Sequence, residues 1–183
     1  MISRKQRVTF VDTSKFSTEY PELERYKVNG KVPNLFATMM NHPPLFEAWG
    51  GLGRYILSDD QSLSPRDREI ATLRIGWLNQ AQYQWEQHSR IGRTIGLSED
   101  DIEHIKTGPK AGWGRHDAAL VQAADDLFER SAVSDATWHT LSERYNTHQM
   151  MDLVFTIGAY NLGAWALNSL GVPLDDYLPG AKK

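Results

Sequence analysis

From Val32 onward the apolar positions recur with helical spacing, and no segment shows the two-residue alternation of a half-buried strand. The chain therefore reads as all-α. Residues 1–31 mix polar and apolar positions around "VNGK" and predict an extended arm with one short helix near Thr18–Tyr26. A first helix is expected over "PNLFATMM" (33–40), and a longer one from Leu45 to Leu57 after "NHPP", with prolines in first turns where a missing N–H costs nothing. Ser64 and Pro65 form a cap and first-turn pair for a helix Pro65–Leu78. A helix over 80–95 is stopped by Gly96, and Ser98 with Asp101 makes a capping box for a short helix to Lys106.

After the loop "TGPKAGWG", amphipathic helices are expected over 117–130 and 134–145, followed by a long helix, apolar on nearly every side, over 147–170 and ended by Gly171. Residues 32–175 read as one helical domain, with 1–31 as an arm and 176–183 as a tail. The second half, a short helix before a long apolar one, loosely echoes the helices around 66–95 and reads as a weak internal repeat of helix pairs.

Composition changes this picture mainly by exclusion. A formal net charge of -3 gives no basic footprint for nucleic acid, so a small molecule or another copy of the chain is the expected partner. The apolar run Leu153–Leu167 is shorter than the roughly 20 residues of a membrane span and contains Thr156, Tyr160 and Asn161. The start "MISRKQRVTFVD" lacks the apolar run of a secretory signal, so the expected location is cytoplasmic, with no membrane association. With no cysteine there is no disulfide, thiolate nucleophile or cysteine-held metal. Walker, HExxH, GxSxG and dinucleotide signatures are also missing, so neither metal nor cofactor is expected.

The chemistry that remains lies in "QAQYQWEQHSRIG", residues 80–92. At about 100° per residue, His88 sits among Ala81, Trp85, Ile91, Gly92 and Ile95, with Gln84 beside it and Glu86, Arg90 and Arg93 turned away. Tyr83 falls off this inward face. On the preceding helix Glu69 lies on the side of Ile70, Leu73 and Trp77, with Arg66 nearby as a salt-bridge partner. A buried carboxylate is costly unless paired or protonated, so the two inward groups suggest a Glu69–His88 pair fit for proton transfer. Trp77, Trp85 and Ala81 could wall a pocket. His148, Tyr160 and Asn161 are the polar candidates on the long helix, and Asn161 needs a partner in so apolar a setting.

The segment "SPRDREIATLRIGWLNQAQYQWEQHSRIGRTIGLSEDDIEHIKTG", with "NHPPLFEAWGGLGRYIL" before it and "LSERYNTHQMMDLVFTIGAYNLGAWALNSLGV" after, resembles the carboxymuconolactone decarboxylase family, which includes the alkylhydroperoxidase D-like proteins. The likeness runs over roughly residues 42–170. It implies an all-α fold assembled as a homotrimer or hexamer. The peroxidase branch has a glutamate, a CxxC whose first cysteine follows twelve residues later, and a histidine four residues after the second cysteine. Glu69 and His88 fit that spacing, but Ala81 and Gln84 stand at the cysteine positions, so thiol-dependent peroxide reduction is not expected.

The decarboxylase branch commonly carries a glutamate where Gln84 stands, and a neutral amide cannot exchange protons. The resemblance thus implies a cofactor-independent lyase, decarboxylase or isomerase for a small lactone, carbonyl or carboxylate compound. His88 is its acid/base, Glu69 its orienting partner or a second proton carrier, and Gln84 a hydrogen-bond donor to developing negative charge. The alternative is a non-catalytic oligomeric binding or scaffold protein on the same fold.

Overall fold

Among residues 4–181, which a computed structural model describes apart from the side chains of Glu22 and Leu23, nine α-helices follow one another without a strand. They are α1 Phe16–Glu19, α2 Asn34–Met39, α3 Pro43–Ile56, α4 Pro65–Leu78, α5 Gln82–Thr94, α6 Glu99–Thr107, α7 Arg115–Arg130, α8 Asp135–Ser142 and α9 Thr147–Leu170, with a 3-10 turn Pro21–Tyr26 after α1. The first three residues of the expected arm and the last two of the tail lie outside the described residues.

Helix α4 is the axis of the fold. The Ser64 side chain accepts from Asp67 N at 3.0 Å, and Pro65 opens the first turn. Every residue from Glu69 to Gly76 is buried, because α5, α6, α7 and α9 all pack on this one helix. Two of its charged residues, Glu69 and Arg74, therefore point into the protein. Arg74 shows how such burial is tolerated. Its guanidinium meets Asp125 of α7 through Nε at 2.5 Å and Nη2 at 2.8 Å, and Nη1 donates to the Ile105 and Lys106 carbonyls at 2.8 and 2.9 Å. Those carbonyls belong to the last turn of α6, which has no helical donors left for them. Gly108, at φ +102, lets the chain pass this close, since a Cβ there would lie 2.8 Å from Arg74 Nη2.

Around α4 lies the main core, which includes Leu73, Ile75, Ile105, Leu120, Val121, Leu141, Leu153 and Ile157. A smaller aromatic and methionine core joins the arm to α2 and α3 through Phe16, Met39, Met40 and Phe46. The arm is tied down further by Arg7 N and Val8 N, which donate to Leu170 O at the end of α9. After Gly171, Asp175 fastens the following segment, accepting from Asn34 N at 2.7 Å and from Tyr83 Oη and Gln87 Nε2 at 2.6 Å each. No helix among the described residues is long and apolar enough to cross a membrane.

Several boundaries differ from the pattern reading. The helix expected over 80–95 begins at Gln82, because Gln80 is left-handed at φ 53 and Ala81 precedes the first turn as its cap. The helix expected at Leu45–Leu57 starts two residues earlier, since both prolines fit its first turn and His42 Nδ1 accepts from Leu45 N at 3.3 Å. The arm's short helix falls at Phe16–Glu19, with a 3-10 turn after it. Tyr83 does not sit off the inward face as free surface; it is 5% exposed because the segment after α9 covers it. Arg66 pairs with Asp117 at 2.9 Å and Asp101 at 3.5 Å rather than with Glu69.

Candidate active site

Three helices meet at the site, each presenting residues at helical spacing. Glu69, Thr72 and Gly76 follow the i, i+3, i+7 pattern on one side of α4, Gln84 and His88 are one turn apart on α5, and Tyr160 and Gly163 share a side of α9. Helices α4 and α5 run antiparallel, so their pairings step along the interface. Ala81 N donates to Gly76 O at 2.9 Å, Gln84 Nε2 to Thr72 O at 3.0 Å, and His88 Nδ1 lies 2.7 Å from Glu69 Oε2. Gly76 makes room for this, since a Cβ on it would sit 3.0 Å from Gln84 Nε2.

Glu69 is 1% exposed, and its contact with His88 supplies the partner that a carboxylate in such a place requires. The imidazole keeps a small exposed fraction, 12% of its side chain. With the carboxylate on Nδ1, the neutral ring carries its proton there, and Nε2 holds the lone pair. Tyr160 closes on the ring edge-on, with centroids 4.8 Å apart at 83°. Burial, reinforced by the negative charge of Glu69, pushes its phenol well above the ordinary value, so Tyr160 stands beside His88 as a neutral hydroxyl. Gln84 Oε1 is buried with no hydrogen-bond partner, whereas the buried Thr72 hydroxyl acts on the Tyr160 phenol.

The structure thus brings Glu69, Gln84, His88 and Tyr160 together. Ala81 is fully buried at the entry to α5, where a methyl group replaces any polar function. Trp77 and Trp85 meet each other at 5.0 Å, and Lys106 Nζ of α6 lies 5.7 and 5.5 Å from their rings, so they belong to a cluster on the α6 side. Asn161 has the partner it needs: its Oδ1 accepts from Asn79 Nδ2 at 2.7 Å, which joins the end of α4 to α9. His148 lies on the exposed first turn of α9, about 18 Å along the axis from Tyr160. Among the described residues, no three His, Asp or Glu side chains gather as a metal ion would need.

Sequence reasoning passed over Thr72, Gly76 and Gly163. The signal for Gly163 was available: a glycine inside a long apolar helix is costly unless something approaches it closely. Thr72 gave none, because its part depends on which neighbour claims its carbonyl.

Residues 43–126 match the sequence profile of the carboxymuconolactone decarboxylase family. That segment of this cysteine-free chain is similar to the family. The match opens where the resemblance does and ends at Asp126 in α7, so the likeness beyond that point rests on the fold. No curated protein matches the sequence.

Solved structures of the same fold extend over almost the whole chain. An alkylhydroperoxidase AhpD core, an uncharacterized peroxidase-related protein from Ralstonia eutropha JMP134, superposes with a TM-score of 0.81 at 19% identity, covering 96% of this chain and 95% of that one. A peroxidase-related protein from Silicibacter sp. TM1040 gives 0.79 at 15% identity over 99% and 98%. A variant of the debrominase Bmp8 in complex with 2,3,4-tribromopyrrole gives 0.74 at 17% identity over 96% and 95%. At these identities the likeness concerns the all-α, AhpD-like fold.

Proposed function

We propose that this chain is a carboxymuconolactone decarboxylase-like protein, a cofactor-independent lyase, decarboxylase or isomerase acting on a small lactone, carbonyl or carboxylate compound. The reading is carried by the 2.7 Å contact between a carboxylate that is 1% exposed and an imidazole whose side chain is 12% exposed. In an isomerisation, His88 Nε2 removes the proton from a carbon beside the carbonyl, the electron pair moves into the enolate, and the imidazolium returns the proton elsewhere on the same system. In a decarboxylation, His88 Nε2 first takes up the proton of the substrate's carboxylic acid, the C–C bond to the carboxylate breaks, CO2 leaves, and the imidazolium so formed protonates the carbon that keeps the electron pair. Either way Glu69 holds the ring in one tautomer and favours the transient imidazolium. Gln84, neutral where the decarboxylase branch carries a glutamate, supplies no second proton, so the chemistry rests on the Glu69–His88 pair. A neighbour of this fold has been seen with a small halogenated ring, which supports a ligand of that size.

The test is a panel of small unsaturated γ-lactones and β-keto acids, followed by CO2 release and by ultraviolet absorbance. Turnover above the protein-free rate on at least one member is expected. Rates equal to the protein-free control throughout would contradict the reading. The same protein should show no thiol-dependent consumption of hydroperoxides, because Ala81 and Gln84 offer no thiolate. Peroxide turnover with dithiothreitol above the background rate, unchanged by a chelator, would overturn that expectation.

The proposed assembly is a homotrimer or a trimer-based hexamer, built on α9. Met151, Phe155, Leu162 and Trp165 are each at least half exposed, and with Gly158 and Ser169 they follow one another by steps of 4, 3, 4, 3 and 4 residues. That is the spacing of a seam between helices. Light scattering should give three or six times 20.8 kDa at micromolar concentration, and Phe155→Glu with Leu162→Glu should reduce it to one. A parent mass of 20.8 kDa would reject the assembly. The stripe is also the observation that favours the second reading, a non-catalytic scaffold whose work is done by this surface.

A further inference from the structure

Gln84 is 2% exposed and only partly satisfied: Nε2 donates to Thr72 O at 3.0 Å, while Oε1 has no partner. The orientation follows from chemistry, because a flipped amide would set its oxygen against the Thr72 carbonyl. One N–H of the Gln84 amino group is engaged by Thr72 O, which leaves its second N–H for the expected donor role, while the oxygen is left as an acceptor with no partner. Across from that oxygen α9 carries Gly163, and a Cβ built there would find Gln84 Oε1 as its nearest neighbour, at 3.9 Å. There is thus room for at least a methyl group beside a buried oxygen that lacks a donor, and the chain leaves the room unfilled. His88 is one turn along α5, with side-chain attachment points about 6 Å away.

We infer that Gln84 Oε1 is a recognition acceptor, and that the ligand of this site carries an O–H or N–H donor which it presents to that oxygen while a neighbouring atom faces His88. The inference rests on the reading of His88 as the acid/base. It narrows the substrate class from any small lactone or carbonyl compound to those bearing a hydroxyl, enol or N–H group. A buried acceptor left unpaired is penalised far more than a paired one, so a donor-free analogue of the same shape binds weakly.

Phenol and toluene make a matched pair of probes, since a methyl group of about the same size replaces the O–H donor. Binding is read from the His88 imidazole resonances, assigned by comparison with His88→Gln. Phenol is expected to bind at least about tenfold more tightly than toluene. Gly163→Ala should raise the thermal midpoint of the free protein by roughly 1–4 °C, because alanine favours the helix and its methyl meets only ordinary contacts, yet weaken phenol binding about tenfold or more. A substitution that stabilises the fold while removing the ligand is not what a merely structural role for Gly163 produces. Equal affinities for the two probes, failure of both to bind, or unweakened phenol binding by Gly163→Ala would each overturn the inference. Should phenol be preferred while a folded His88→Gln protein keeps full turnover, the acceptor assignment stands and the acid/base reading falls.

Discussion

Replacing His88 by glutamine is expected to lower turnover by about 10²- to 10⁴-fold while the protein stays folded. Glutamine has similar reach and can still donate to Glu69 Oε2, so the buried carboxylate keeps a hydrogen bond, but no group at this position can then carry a proton to and from carbon. Glu69→Gln removes the charge that favours imidazolium and leaves an amide that can still accept from Nδ1–H. It should cost less than His88→Gln if Glu69 only orients the ring, and about as much if it also takes up the proton. Turnover and thermal midpoint measured on the same preparations separate a loss of chemistry from a loss of structure. A scaffold without catalysis would show lowered midpoints for both variants and no selective change in rate.

Arg74→Met should destabilise the fold by about 3–5 kcal/mol, the usual cost of removing one partner from a buried ion pair. Asp125, itself 8% exposed, would keep its charge with no guanidinium to meet it, and the Ile105 and Lys106 carbonyls at the end of α6 would lose their donor. For a chain of this length that corresponds to a fall in midpoint of roughly 6–20 °C. Pairing the change with Asp125→Leu should recover much of the loss, since the uncompensated charge is then gone. Heat denaturation of the two variants checks this, and a midpoint within about 2 °C of the parent for Arg74→Met alone would show that Asp125 is solvated some other way.

What the sequence discloses about this fold is uneven, and the reasons are physical. Helix ends with strong local chemistry are legible: Ser64 with Pro65, the Ser98–Asp101 box and the Gly171 stop all act within one turn of themselves. The inward placement of Glu69 and His88 is legible too, because a helical wheel needs no knowledge of the partner. A wheel assumes one buried face, however, and α5 has two. Tyr83 and Gln87 turn toward Asp175, more than eighty residues away, and nothing near them announces that contact. The turn at Gln80 is hidden because glutamine gives no sign of a left-handed backbone. Helix α9 fails differently: apolar on every side, it cannot say which residues the chain covers and which, like Phe155 and Trp165, it leaves exposed. The setting of Gln84 depends on one carbonyl of another helix, so that its oxygen is left without a partner could be read only from the structure.

The most direct test of the Glu69–His88 account is proton exchange at carbon. The parent protein and His88→Gln are incubated in D2O with the same panel of small lactones and β-keto acids, and deuterium uptake beside the carbonyl is followed by mass spectrometry. The account predicts uptake catalysed by the parent on at least one compound and slowed about 10²- to 10⁴-fold in the folded variant. Uptake at the protein-free rate across the panel, or equal uptake with parent and variant, would contradict it.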